Sequence, residues 1–195
     1  TVADIRATNP AIWNSWKDAL IKELYVSTRA HLRRGLTQTL DENERIDRVK
    51  LESRALLNRL GLADPAIDEV WNKTLNDEYF SRYVPEEIAW HTIALSSAQP
   101  EDLPLVLLRP TSLRGSAEVF VYAKNQDFIF AHSTAVMDQL NLNVVDARII
   151  TTSADGFTLN SYHVLEQSGE PISDHLRQVQ ICVRLKEALS KISKA

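Results

Sequence analysis

The chain has 195 residues and 22.1 kDa, and is 44% hydrophobic and 25% charged. That is ordinary globular composition, enough for one or two domains with a buried core, and it excludes disorder as the main state. The net charge of −4 is spread evenly along the chain, so no basic face points to nucleic acid or to an anionic membrane as the main partner. The single Cys182 excludes an internal disulfide and any cysteine-based zinc site. No apolar run reaches the roughly 20 residues that span a bilayer, and no signal peptide is evident. A cytoplasmic location is therefore expected, and the sequon Asn72-Lys73-Thr74 is expected to carry no glycan. The chain opens at Thr1 and its only methionine is Met137, so it reads as a piece of a longer protein.

In chain order, the first half is helical. All four tryptophans (Trp13, Trp16, Trp71, Trp90) lie before residue 100, with only Gly35 and Gly61 among them. Four helices are predicted, near 10–34, 41–60, 65–80 and 85–97. Asn9-Pro10 and Asp64-Pro65 read as an N-cap followed by N1, and Val84-Pro85 opens the fourth helix. Thr39-Leu40-Asp41-Glu42 has capping-box spacing, and Gly61 suits a helix C-terminus. Ile46, Val49, Leu56, Leu57 and Leu60 fall on one helical face, as do Ile67, Val70, Trp71 and Leu75. These stripes are read as core.

After Pro100 the apolar period changes from 3.6 to 2. Leu105–Arg109 is a short strand between Pro104 and Pro110, and 117–123 alternates as a second strand. Helical spacing returns over 127–140. Strands 144–152 and 157–166 flank Ala154-Asp155-Gly156, a hairpin signal. Ser173 is read as the cap of a last helix carrying Ile181, Leu185, Leu189 and Ile192. The fold class is thus α+β. A helical segment, 1–99, precedes a two-layer domain, 100–195, with a four-stranded antiparallel sheet and two helices on one face. The 105–109 strand is predicted at the sheet edge, beside 117–123.

The residues reveal no complete active site. His31, His91, His132, His163 and His175 include no i+3 or i+4 pair, so no helical metal site is supported. No nucleophile elbow frames a serine, and Cys182 sits on an apolar helix side.

Three runs are more specific: TVADIRATNPAIWNSWK, EYFSRYVPEEIAWHT, and PLVLLRP followed by a β-α-β-β-α unit. Together they resemble the bifunctional PII uridylyltransferase/uridylyl-removing enzymes of bacterial nitrogen control. The resemblance implies the tail of an HD hydrolase domain, a helical connection and the first ACT module, a ferredoxin-like regulatory unit. The transferase motif and the His-Asp pair of the HD domain are absent, so the chain itself is expected to have no catalytic residues. The parent enzyme would use UTP, hydrolyse uridylyl-PII and need Mg or Mn. PII protein is the implied partner, glutamine the implied effector, and an ACT-mediated homodimer the implied assembly.

Ala3-Asp4 resembles the late aspartate of HD-type sites, which makes Asp4 a metal ligand in the full enzyme only. The ACT ligand loop corresponds to Asn125, Gln126, Asp127, Phe128 and Ile129, and its second segment to Asn143, Val144 and Asp146. Phe128 stands where the generic loop has glycine and obstructs the close approach of a ligand. Weak or no glutamine binding by this module alone is therefore expected. The alternative function is an ACT scaffold that packs domains or subunits without a ligand.

Overall fold

The computed structural model describes residues 7, 13–34, 42–110, 112, 115–152 and 156–192; the side chains of His31 and Arg34 are outside it. Among the described residues five helices precede the sheet: α1 (Ser15–Arg34), α2 (Glu42–Arg59), α3 (Asp64–Thr74), α4 (Asp77–Arg82) and α5 (Pro85–Ser97). A 3₁₀ turn at Pro100–Asp102 leads to β1 (Leu105–Arg109) and β2 (Ala117–Lys124). Then follow α6 (Ile129–Gln139), β3 (Leu142–Thr151), β4 (Phe157–Glu166) and α7 (His175–Ile192).

Several helix ends differ from the sequence reading, each for a local reason. α1 starts at Ser15 because the Asn14 carboxamide oxygen accepts from the Lys17 amide at 3.0 Å; Asn9-Pro10 and Thr39 lie outside the described residues. The predicted 65–80 helix is two helices. Leu75 turns extended into the core, and Asn76 Oδ1 caps α4 by accepting from the Tyr79 amide at 2.9 Å. Asp64 is not a cap: Ala63 holds that place, and the Asp64 carboxylate instead meets Arg54 at 3.0 Å. Asp174 rather than Ser173 caps α7, through the Arg177 amide at 2.7 Å. Gly61 does end α2. It has φ +92°, and the Leu62 and Gly61 amides return to the carbonyls of Leu57 and Asn58.

The sheet is antiparallel with strand order β1-β2-β4-β3. β1 lies at the edge beside β2, Leu105 opposite Tyr122 and Arg109 opposite Glu118, as its position before the short turn predicts. Helices α6 and α7 cover one face. There Val119, Val121, Tyr162 and Val164 pack with Met137, Ile181 and Leu185.

The other face is covered as well. Phe120, Leu159 and Ile150 point into a second core with Leu57, Ile67, Trp71, Tyr79, Phe80 and Ile88 of α2–α5. The sheet is thus the middle of three layers. Both of its faces must be apolar, which is why β2 reads Ala-Glu-Val-Phe-Val-Tyr-Ala with bulky residues at alternate positions as well as between them.

Phe120 belongs to the sheet but is buried among helical residues, stacked on His91 at 4.3 Å between centroids and edge-on to Trp90. Phe120→Ala is expected to cost about 3–5 kcal/mol. Far-UV dichroism and tryptophan fluorescence, followed in the same denaturant titration, should shift together. Two separate transitions would refute a shared core.

Candidate functional site

The predicted ligand loop lies at the corner between β2 and α6. The Asn125 amide donates to the Gly156 carbonyl at 2.6 Å, and Ile129 is buried. Asp127 and Phe128 face solvent, while half-buried Gln126 borders a groove of about 360 Å³ with Lys124, Phe157 and Pro104. Phe128 adopts a left-handed conformation, φ 65° and ψ 10°, and is 75% exposed. A phenylalanine there is strained by roughly 1 kcal/mol.

Asn143, Val144 and Asp146 lie elsewhere. Lys124 is opposite Phe157 on β4, whereas Asn143 is opposite Leu165. Those positions are about 26 Å apart along one strand. Asn143 Nδ2 donates to the carbonyls of Glu166 and Gln167, and Asp146 meets Arg148 Nε at 3.5 Å. One copy of the chain therefore does not bring the two predicted segments together. Asp4 lies outside the described residues.

The structure brings together a different set, buried between α5 and the sheet. Glu87 Oε2 accepts from Arg148 Nη1 at 2.9 Å and from the Val84 amide at 3.3 Å. Glu118 Oε2 accepts from Arg109 Nη2 at 2.6 Å, and Glu118 Oε1 lies 3.2 Å from His91 Nε2. His91 Nδ1 is 2.8 Å from Tyr79 Oη, and Tyr83 Oη is 2.8 Å from Ser161 Oγ. His163 Nδ1 lies 3.0 Å from Ser116 Oγ, while its Nε2 has no hydrogen-bond partner and sits 3.7 Å from Glu87 Oε1. Trp16, from the first turn of α1, closes over the His163 ring at 4.9 Å. His91, Glu118 and His163 are fully buried.

The charges balance: two carboxylates face two guanidinium groups. Burial pushes the Glu118 carboxyl up, but the hydrogen bond and charge of His91, then the charges of Arg109 and His163, outweigh it and hold it at about 2. Burial is also the main influence on His163, and pushes its imidazole down. Burial drives the phenols of Tyr79 and Tyr83 well up, so both remain protonated. Paired this way, the network fixes how α5 sits on the sheet. Among the described residues its carboxylates and imidazoles are buried.

Sequence reasoning listed His91 and His163 one by one and did not join them. One signal was present. The alternate set Glu118, Phe120, Tyr122 contains two aromatics, so that face of β2 had to be buried, and Glu118 with it.

Fold and site define an ACT-like sheet joined face-on to a helical layer. Residues 41–94, covering most of that layer, match the family model described as uridylyltransferase GlnD fifth domain. Along nearly its whole length the chain is similar to proteins named bifunctional uridylyltransferase/uridylyl-removing enzyme. It is 60% identical over 190 residues to that of Methylococcus capsulatus, covering 97% of this chain and 21% of the relative. The Pseudomonas savastanoi pv. phaseolicola protein is 43% identical over 183 residues (92% and 20%), and the Pseudomonas fluorescens protein 42% over 193 (97% and 21%). The family likeness read from the three sequence runs is thus shown, and the chain spans about a fifth of the curated relatives it matches. No solved structure matches it. Among the described residues no helix is long and apolar enough to cross a membrane.

Acid should act on the network in two steps. The depressed imidazole of His163 adds stability that is lost as pH falls below its ordinary value of 6.5. The depressed carboxyl of Glu118 adds stability that is full above 4.5 and lost as pH falls from there to about 2. Glu118→Gln should remove the lower step from a plot of unfolding free energy against pH. An unchanged lower step would show that other carboxylates produce it. At the loop, Phe128→Gly should leave stability equal or raise it by up to about 1 kcal/mol, since strain is relieved and little burial is lost. A clear loss in thermal unfolding would contradict that account.

Proposed function

We propose that this chain is a non-catalytic regulatory portion of a bifunctional uridylyltransferase/uridylyl-removing enzyme, working in the cytoplasm. Through it, glutamine would set the balance between uridylylation and deuridylylation of PII protein. The observation that carries the reading is an ACT-like sheet whose second face is filled by the helical layer, in a chain 60% identical to one segment of such an enzyme. A sheet packed this way passes any ligand-driven shift directly to α5. The convergent titratable groups of the described residues are sealed inside, which supports a role in holding rather than in turnover.

Glutamine sensing needs more than one copy of this module. The segments 125–129 and 143–146 lie at opposite ends of the sheet, so a second module or a homodimer partner must bring one to the other. In such an assembly Asn125 and Asn143 would offer hydrogen bonds to a carboxamide, and Asp127 and Asp146 would meet an ammonium group. The exposed left-handed Phe128 favours the second reading, a scaffold that binds no ligand. In the whole enzyme we assign Asp4 to a Mg or Mn site completed by residues outside this chain, since carboxylates suit hard ions.

Glutamine titrated into the chain by calorimetry should give no saturable heat in the micromolar range. A micromolar isotherm that Asn125→Ala abolishes would overturn the need for a second module. In the full-length enzyme, Asp4→Asn should abolish uridylyl removal and spare uridylyl transfer. Intact removal would reject the metal assignment.

A further inference from the structure

Glu87, Glu118 and His163 reach one point from three elements: α5, β2 and β4. One donor atom of each lies within 4.8 Å of the other two, and all three residues are buried. The outer atom of every group is already tied. Arg148 and the Val84 amide hold Glu87 Oε2, Arg109 holds Glu118 Oε2, and Ser116 Oγ lies 3.0 Å from His163 Nδ1. That leaves Glu87 Oε1 and the unpartnered His163 Nε2 3.7 Å apart, with one Glu118 oxygen within 4.8 Å of both. Outer hydrogen bonds that orient inner donors are the usual support of metal ligands. His91 on Glu118 Oε1 is no obstacle, because a carboxylate oxygen has more than one acceptor position.

We propose that this point binds a divalent first-row transition-metal ion, zinc above all, as a structural ion tying α5 to the sheet. Tetrahedral zinc, with bonds of about 2.0–2.1 Å, needs donor atoms about 3.3 Å apart. His163 and Glu87, at 3.7 Å, are close to that already. The widest pair has to close by no more than roughly 1.5 Å.

Charge decides which ion. Arg109 and Arg148 already share the charge of the two carboxylates, so charge alone gives little hold on an ion here. Ions held mainly by charge, such as Mg²⁺ and Ca²⁺, gain little there. An ion with a strong bond to neutral imidazole gains most; nitrogen affinity favours the later ions of the row over manganese and iron, and a tetrahedral arrangement suits zinc better than copper, which prefers a square-planar one.

Zinc should be titrated into the chelator-treated 195-residue chain, with binding read by calorimetry and by thermal unfolding. One ion per chain with micromolar or tighter affinity, and a rise in Tm, is expected. His163→Gln and Glu87→Gln should each weaken binding by at least about tenfold. His132→Gln and His175→Gln, at exposed positions, should leave it unchanged. Should a buried variant fail to fold, nuclear magnetic resonance of the wild type still decides, because zinc must move the ring signals of His163. Absence of saturable binding, unchanged affinity in a folded His163→Gln, ring shifts confined to other histidines, or displacement of zinc by millimolar Mg²⁺ or Ca²⁺ overturns the proposal.

Discussion

The Glu87–Arg148 pair governs the architecture. Glu87 is 4% and Arg148 9% exposed, and they meet at 2.9 Å across the gap between α5 and β3. Taking either ion out of water costs several kcal/mol unless the other is there to meet it. The helices and the sheet therefore cannot slide by even a few ångströms without stranding a charge. His91–Glu118 and Tyr83–Ser161 lie in the same plane between the layers and impose the same condition. Apolar packing around Phe120 and Ile88 drives the two layers together, while the polar plane chooses the single arrangement in which they meet.

The strands, the hairpin signal between β3 and β4 and the edge position of β1 were legible, because period-2 alternation and short turns leave few alternatives. The hidden part was what covers the second sheet face. Glu118, Ser161 and His163 look like a solvent-facing set when only polarity is counted. It takes partners between Tyr83 and His91, some 27 to 78 residues away, to make that face an interior. A similar limit applied to the 65–80 segment, where unbroken apolar spacing concealed a cap at Asn76. Residues 125–129 do form the corner after β2. Their distance from Asn143 is set by strand register, which no local pattern encodes.

The family match ends at residue 94, close to the point where helices give way to strands. Packing does not respect that boundary. Glu87 and His91 lie inside the matched span, and the residues that satisfy them, Arg148 and Glu118, lie outside it. Cutting the chain there would leave buried polar groups without partners on both pieces, at roughly 1–3 kcal/mol for each neutral group and more for the ions.

The connection from Ser97 to Leu105 is short, residues 98–104, and includes the 3₁₀ turn at Pro100–Asp102. Fully extended, it reaches at most about 25 Å. This makes it a leash. If the polar plane opens, α5 remains in the immediate neighbourhood of the sheet, at an effective concentration in the millimolar range typical of short tethers. Re-engagement is then a local search that does not depend on how much protein is present, and an opening between the layers reverses itself once whatever prised them apart has left.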